Sequence, residues 1–349
     1  MELEEHGEGR CAAHPERAAS GTCVRCGKVV CAECRSASPR GGCSICERRT
    51  PARLVWWHGV LLLVAVGVAA QLAGGVALLA ALFVHALITG VPLASIASGE
   101  TLTFATMAPS IAATGLVMAG GALVAPRLAG VPLREALGLR AAPWPAFVAA
   151  PIGILALGPT SDVLRRLMQT YAPGLTFGSL EQLDQIARGT PVWLSAPFFA
   201  LLPGIAEELL FRGAFQRSIR TGWLAVVLSG VLFAVYHVDP HHVAAVLPLG
   251  LYLAWLGHRT DSVLVPITAH VANNATAVIA VAFAGSERDE GGLEALGPDA
   301  WWIPAGLAIA SAAIAVVWWC TRRAAEPRAD RRAEPVREAA GAVEDAEPR

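Results

Sequence analysis

Residues 191–215 read PVWLSAPFFALLPGIAEELLFRGAF, an apolar run long enough to cross a bilayer that still holds Glu207, Glu208 and Arg212. About 20 apolar residues in a helix span the hydrocarbon core, where each unpaired charge costs about 2.5–3.5 kcal/mol. Three ionisable groups in such a segment need partners, a wet cavity, or both. The rest of the chain is built on the same pattern. Its 349 residues are 54% hydrophobic and only 16% charged, with a mean hydropathy of +0.51. The apolar residues come in long blocks, which specifies an all-α polytopic membrane protein.

About eight transmembrane helices are expected, near 54–92, 103–125, 143–162, 191–215, 222–238, 241–257, 262–284 and 300–320. The first is too long for one straight span, and Gln71, Gly74 and Gly75 offer a break. Trp56, Trp57, Trp301, Trp302, Trp318 and Trp319 sit at span ends, as an interfacial belt requires. The connection 163–190 carries Leu180, Leu183 and Ile186 at helical spacing and is expected to lie in the interface. Arginine placement sets the orientation. Arg35, Arg40, Arg48, Arg49 and Arg53 precede the first span, and Arg127, Arg134 and Arg140 follow the second. Arg217, Arg220, Arg259, Arg322 and Arg323 fall on the same side, while the opposite loops carry Arg288 and the exceptions Arg165, Arg166 and Arg188. Both termini are therefore expected in the cytoplasm. His237 then lies near the outer end of its span, whereas a protease opening to the cytoplasm needs a path from inside.

Lys28 is the only lysine, which with abundant Ala and Gly suggests a bacterial genome rich in G and C. The polar, Cys-rich residues 1–53 do not read as a cleavable signal peptide. The formal net charge of −1 gives no basis for a nucleic-acid partner. The expected partners are the lipid bilayer and a peptide or membrane-protein substrate. Four parts are expected: a metal module over 1–50, a linker at 51–53, the membrane domain 54–322, and a disordered cytoplasmic tail over 323–349.

Seven of the eight cysteines lie in the first 50 residues. They form four knuckles: Cys11 with His14, Cys23 with Cys26, Cys31 with Cys34, and Cys43 with Cys46. Two tetrahedral zinc ions need eight ligands, and a spacing of two residues lets both groups of a knuckle face one ion from a tight turn. Few apolar residues separate the knuckles, so folding would depend on the metal. The segment resembles the B-box-like zinc fingers fused in front of some bacterial membrane proteins. That resemblance implies that knuckles one and three share one ion, that two and four share the other, and that the module recruits a protein partner.

Polar groups recur in the second half of the membrane domain. Glu208 and Arg212 are four residues apart, share a helix face and can pair. Glu207 lies about 100° round the helix, over Phe211. One carboxylate is neutralised locally and the other is left for a cavity. Phe233 and His237 lie on the next span, and His270 and Asn274 share a face two spans on. Glu207 and His237 each lie fifteen residues from Gly222, at the hairpin between their spans, and so at matched depth, roughly 22 Å from the turn. An acid and an imidazole at one level can share a water, with Glu207 as general base and His237 orienting the water or binding a metal that holds it. His270 and Asn274 would donate to the oxyanion. This is a peptide-hydrolysis site drawn from three helices.

Glu-Glu-x3-Arg, Phe-x3-His and His-x3-Asn, in this order, resemble the motifs of the CPBP family of intramembrane proteases (the CAAX protease and bacteriocin-processing, or "Abi", family). The resemblance is strongest over about 190–284. It implies Glu207 and His237 as the water-activating pair, His270 and Asn274 as oxyanion or metal contacts, and Glu208, Arg212 and Phe233 as support. It also leaves open a catalytic zinc at Glu207, His237 and His270. No His-Glu-x2-His run is present, which excludes a conventional zinc-protease helix. The alternatives are a non-catalytic scaffold or immunity protein that binds a partner through its zinc module, and a transporter using Glu207 and His237 as a proton relay. His58 and His85 read as packing residues, Asp239, His241 and His242 as a solvated turn around Pro240, and Cys320 as an unmodified thiol.

Overall fold

The computed structural model of the chain describes residues 10–12, 14–22, 29–36, 54–92, 102–219, 222–283 and 301–325. The knuckles at Cys23, Cys26, Cys43 and Cys46, the 51–53 linker, the turn at Thr221 and the tail beyond 325 lie outside these residues. At the amino terminus β1 (Gly21–Thr22) pairs antiparallel with β2 (Val29–Val30), and α1 (Ala32–Ser36) follows. The membrane domain begins with α2 (Trp56–Thr89) and α3 (Phe104–Leu128). The short α4 (Leu133–Leu137) leads to α5 (Trp144–Ala156), α6 (Gly158–Tyr171) and α7 (Ser179–Arg188). A continuous helix α8 (Val192–Gln216) is followed by α9 (Gly222–Val235), α10 (Pro240–Thr260), α11 (Leu264–Phe283) and α12 (Trp302–Ala325).

Among the described residues, six helices are long and apolar enough to cross a membrane: α2, α3, α5 joined with α6, α8, α11 and α12. All eight expected segments are helical, but α9 has only 14 residues, and α10 carries His241, His242, His258 and Arg259 in 21. The third span also runs further than expected, because α6 continues it to Tyr171 after a break at Leu157. Pro159 lacks an N–H and crowds the carbonyl four residues back, which accounts for the break. Lipid-facing residues such as Leu72, Leu79 and Ile88 are exposed, as are all six tryptophans expected at the span ends.

The first span does not break at Gln71, Gly74 and Gly75. The helix α2 runs 34 residues without interruption. Gly74 is instead a packing position, since a Cβ there would sit 2.3 Å from Thr114 Oγ1 of α3. Small residues let membrane helices approach closely, where apolar contact alone gives little drive to associate. Thr114 Oγ1 donates across the same interface to the Ala70 carbonyl at 3.3 Å.

Two apolar clusters form the core. The first joins α2, α3, α4 and α8 through Leu62, Met118, Leu137 and Leu210. The second joins α5, α10, α11 and α12 through Ile154, Leu253, Val265 and Val317. Met118 and Ala206 of the first, with Ile154 and Leu253 of the second, line one internal cavity, which therefore lies between the clusters.

Replacing Gly74 by Val should destabilise the protein by about 1–3 kcal/mol through overpacking. Gly75→Val, at a position with nothing within 4 Å, should not. Unfolding of both variants in detergent measures the difference, and equal effects would contradict the packing role.

Candidate active site and metal centre

The β1–β2 pair and α1 bring the first and third knuckles together. The ligand atoms of Cys11, His14, Cys31 and Cys34 all lie within 4.8 Å of one another. His14 Nδ1 is 3.2 Å from Cys34 Sγ and 3.6 Å from Cys31 Sγ, and the Cys11 and Cys34 sulfurs are 3.7 Å apart. Thiolates on a tetrahedral zinc at about 2.3 Å stand roughly 3.8 Å apart, so the quartet fits one such ion. It is also the pairing that the finger resemblance implies. The other two knuckles lie outside the described residues.

Inside the membrane the site is built on α8. This helix contains two stretches with π geometry, Pro197–Leu201 and Leu209–Gln216. Pro203 cannot donate to the carbonyl four residues back, and just before it the Leu202 N–H reaches the Pro197 carbonyl instead. Such widened turns recur at functional sites. Glu208 and Arg212 pair as expected, with Arg212 Nη1 donating to Glu208 Oε1 at 2.9 Å and neither side chain exposed. Arg212 Nη2 donates to the Gly250 carbonyl of α10 at 2.9 Å, and its guanidinium lies 4.1 Å from the Phe233 ring centroid. Gly250 lets α10 pack closely on α9, because a Cβ there would meet the Gly230 carbonyl at 2.7 Å.

Glu208 does more than neutralise the arginine. His270 Nδ1–H donates to Glu208 Oε1 at 2.9 Å, which links α8 to α11. Helical spacing within one element cannot reveal a bond between two. With Nδ1 engaged, Nε2 is the ring atom that faces Glu207, 3.9 Å from Oε2. The His270 imidazole is thus held in one orientation by a carboxylate behind it. Glu207 takes no part in the Glu208–Arg212 pair and lines the cavity.

His237 sits just past the end of α9, and its Nδ1–H donates to the Phe233 carbonyl at 3.0 Å, leaving Nε2 as an acceptor. The Phe233 ring meets the rings of Phe211, His237 and His270 edge-on. This explains an aromatic residue at the start of the Phe-x3-His motif. Glu207, Phe233, His237, His270 and Asn274 all line the same cavity, of about 460 Å³. Asn273 Nδ2–H donates to Asn274 Oδ1 at 3.2 Å. Among the described residues, only the N-terminal quartet brings three or more metal-ligating atoms within 4.8 Å of one another. Glu207, His237 and His270 do not form such a cluster.

The expected solvated turn around Pro240 is instead a buried clamp. Asp239 is 2% exposed. Its Oδ2 accepts from Thr176 Oγ1, the Phe177 N–H, and both the N–H and Oγ of Ser179, and its Oδ1 caps α10 through the His241 N–H. Burial alone would raise its pKa, but these donors, Ser179 and Phe177 foremost, hold it down to about 2. His241 Nε2–H donates to the Ala172 carbonyl at 3.0 Å. Sequence reasoning missed the clamp because its donors lie some 60 residues away. It also missed His242, whose ring lies 4.5 Å from that of His237 and which lines the cavity.

A bundle of membrane helices enclosing acid and imidazole groups in a shared cavity defines a polytopic membrane protein with an internal polar site. Residues 189–276 match the family described as type II CAAX prenyl endopeptidase Rce1-like. The match spans α8, α9, α10 and most of α11, and contains all three motifs. It supports an intramembrane endopeptidase of the CAAX type in general. No curated protein and no solved structure matches the chain.

Removing Arg212 would leave Glu208 buried without its cation. Arg212→Met should therefore cost about 3–5 kcal/mol, the range for breaking a buried ion pair. Unfolding in detergent checks this, and a loss below about 1 kcal/mol, the level of an exposed pair, would contradict the burial.

Proposed function

We propose that the chain is an intramembrane endopeptidase that hydrolyses a peptide bond with a water activated by Glu207 and His237. The observation that carries this reading is the division of labour between adjacent carboxylates. Glu208 is engaged by Arg212 and His270, while Glu207 faces the cavity beside His237, His270 and Asn274. The family match over 189–276 supports it.

Glu207 takes a proton from the water as the water oxygen attacks the scissile carbonyl carbon. His237 Nε2 accepts the water's second O–H and orients it. The Asn274 amide and, when doubly protonated, His270 Nε2–H donate to the oxyanion. On collapse the C–N bond breaks, and the proton held by Glu207 passes to the leaving amine. The products are a carboxylic acid and an amine, and the acid's proton passes to the amine to leave a carboxylate and an ammonium. No step is routed through a metal at these residues.

The N-terminal module is read as a double zinc site. Cys11, His14, Cys31 and Cys34 hold one ion, and Cys23, Cys26, Cys43 and Cys46 the other, in a finger that binds a cytoplasmic protein partner. The protein resides in a bacterial cell membrane with both termini in the cytoplasm, as the arginine distribution directs.

Glu207→Gln should lower the cleavage rate of membrane peptides by at least about 10²-fold, the range for a general base. The variant should keep its unfolding temperature. Unchanged cleavage would refute the role of Glu207, and a large loss of stability with cellular function intact would favour a scaffold. Elemental analysis of the reduced protein should give about two zinc per chain, and Cys31→Ser should remove one of them. Undiminished zinc in Cys31→Ser would overturn the ligand assignment.

A further inference from the structure

The cavity lies nearer one end of the bundle than the other. One end carries most of the arginines. Arg140 and Arg217 both pair with Asp261, Arg217 also donates to the Glu135 carbonyl, and Arg259 donates to the Trp318 carbonyl. These contacts place the start of α11 and the ends of α8, α10 and α12 at one level. Arg127 follows from its place at the end of α3, next to α4.

The cavity wall is made by positions 110–118 of α3, 198–207 of α8, 242–253 of α10 and 270–281 of α11. On each of these helices, at least six residues separate the wall from the arginine-rich end. At 1.5 Å per residue, that is roughly 9 Å or more of solid floor. The floor contains the buried Arg212–Glu208 pair, the Gln216 amide donating to the Ala254 carbonyl at 2.7 Å, and the buried Phe215 and Leu256. In the opposite direction the wall stops six residues short of the far ends of α3 and α8 and two short of those of α10 and α11, nearer on every helix than at the arginine-rich end.

At that far end the cavity meets α7. Leu180, Leu183 and Ala187 of this amphipathic helix line it, and the Asp239 clamp ties the chain just before α7 to the turn that follows His237. Exposed Tyr171, Phe177 and Trp193 flank the same region, as residues at a membrane–water interface do. Of the three exceptions to the arginine pattern, Arg188 ends α7, and Arg165 and Arg166 both pair with Asp162.

We propose that the cavity opens beneath α7 on the extracytoplasmic side of the membrane, and that its substrate is a membrane-tethered peptide whose scissile bond lies at that face. The term substrate rests on the hydrolase reading above. The sidedness rests on the cavity and the arginines alone. It resolves the conflict between an outward His237 and an expected cytoplasmic path: the path runs outward. Chemically, the occupant is an extended peptide with apolar side chains, admitted between α7 and the ends of α10 and α11.

Full-length protein carrying Phe177→Cys, at the mouth, or Arg127→Cys, at the arginine-rich end, is compared in spheroplasts and inverted membrane vesicles using a membrane-impermeant maleimide. Phe177→Cys should label in spheroplasts and Arg127→Cys only in inverted vesicles, each measured above the unsubstituted chain. A lipid-anchored fluorogenic peptide should be cleaved at least tenfold faster when supplied to spheroplasts than to inverted vesicles. Labelling of Phe177→Cys only from the vesicle side, or cleavage only there, would overturn the proposal. Absence of cleavage from both faces and in detergent would refute the hydrolase reading, while the labelling would still decide the sidedness.

Discussion

A guanidinium that cannot lose its proton lies fully inside the membrane domain, and much of the site's geometry follows from satisfying it. Arg212 donates to Glu208 on its own helix and to the Gly250 carbonyl of α10, with the Phe233 ring of α9 over it. That sets the depth of α8 against α9 and α10. Glu208 then holds His270 and so fixes α11. Buried ion pairs seldom add net stability over apolar packing. This one serves geometry, because it orders four helices around a single charge and leaves the neighbouring Glu207 directed into the cavity.

Much of this was legible in the sequence, and the limits are physical. Long apolar blocks gave every helix of the membrane domain that faces lipid, because a backbone in hydrocarbon has few ways to satisfy its hydrogen bonds. The Glu208–Arg212 pair follows from a spacing of four. The Glu208–His270 bond does not, because it joins helices 62 residues apart. Gly74 read as a break because local propensity treats glycine as a weak point. In a membrane interface its missing Cβ is what admits Thr114. Asp239 beside Pro240 read as a wet turn because capping by aspartate is usually exposed. Here the donors come from the segment before α7, whose position depends on the whole fold.

The site combines a rigid floor with a roof made of a single amphipathic helix. The floor fixes the charged groups through the buried Arg212–Glu208 pair. The roof is tied down at the turn that carries His237, so the position of that imidazole and the shape of the entrance depend on the same carboxylate. A peptide entering beneath α7 would meet Glu207 and His237 within one mostly apolar cavity. Apolar walls strengthen the hydrogen bonds made to a developing oxyanion.

The most direct measurement is an experimental structure of a catalytically impaired form with an uncleaved peptide bound. The account predicts the scissile carbonyl within one bridging water of both residue 207 and the His237 Nε2, with its oxygen toward Asn274. A peptide seated elsewhere, or Glu207 and His237 facing separate surfaces with no hollow between them, would contradict it.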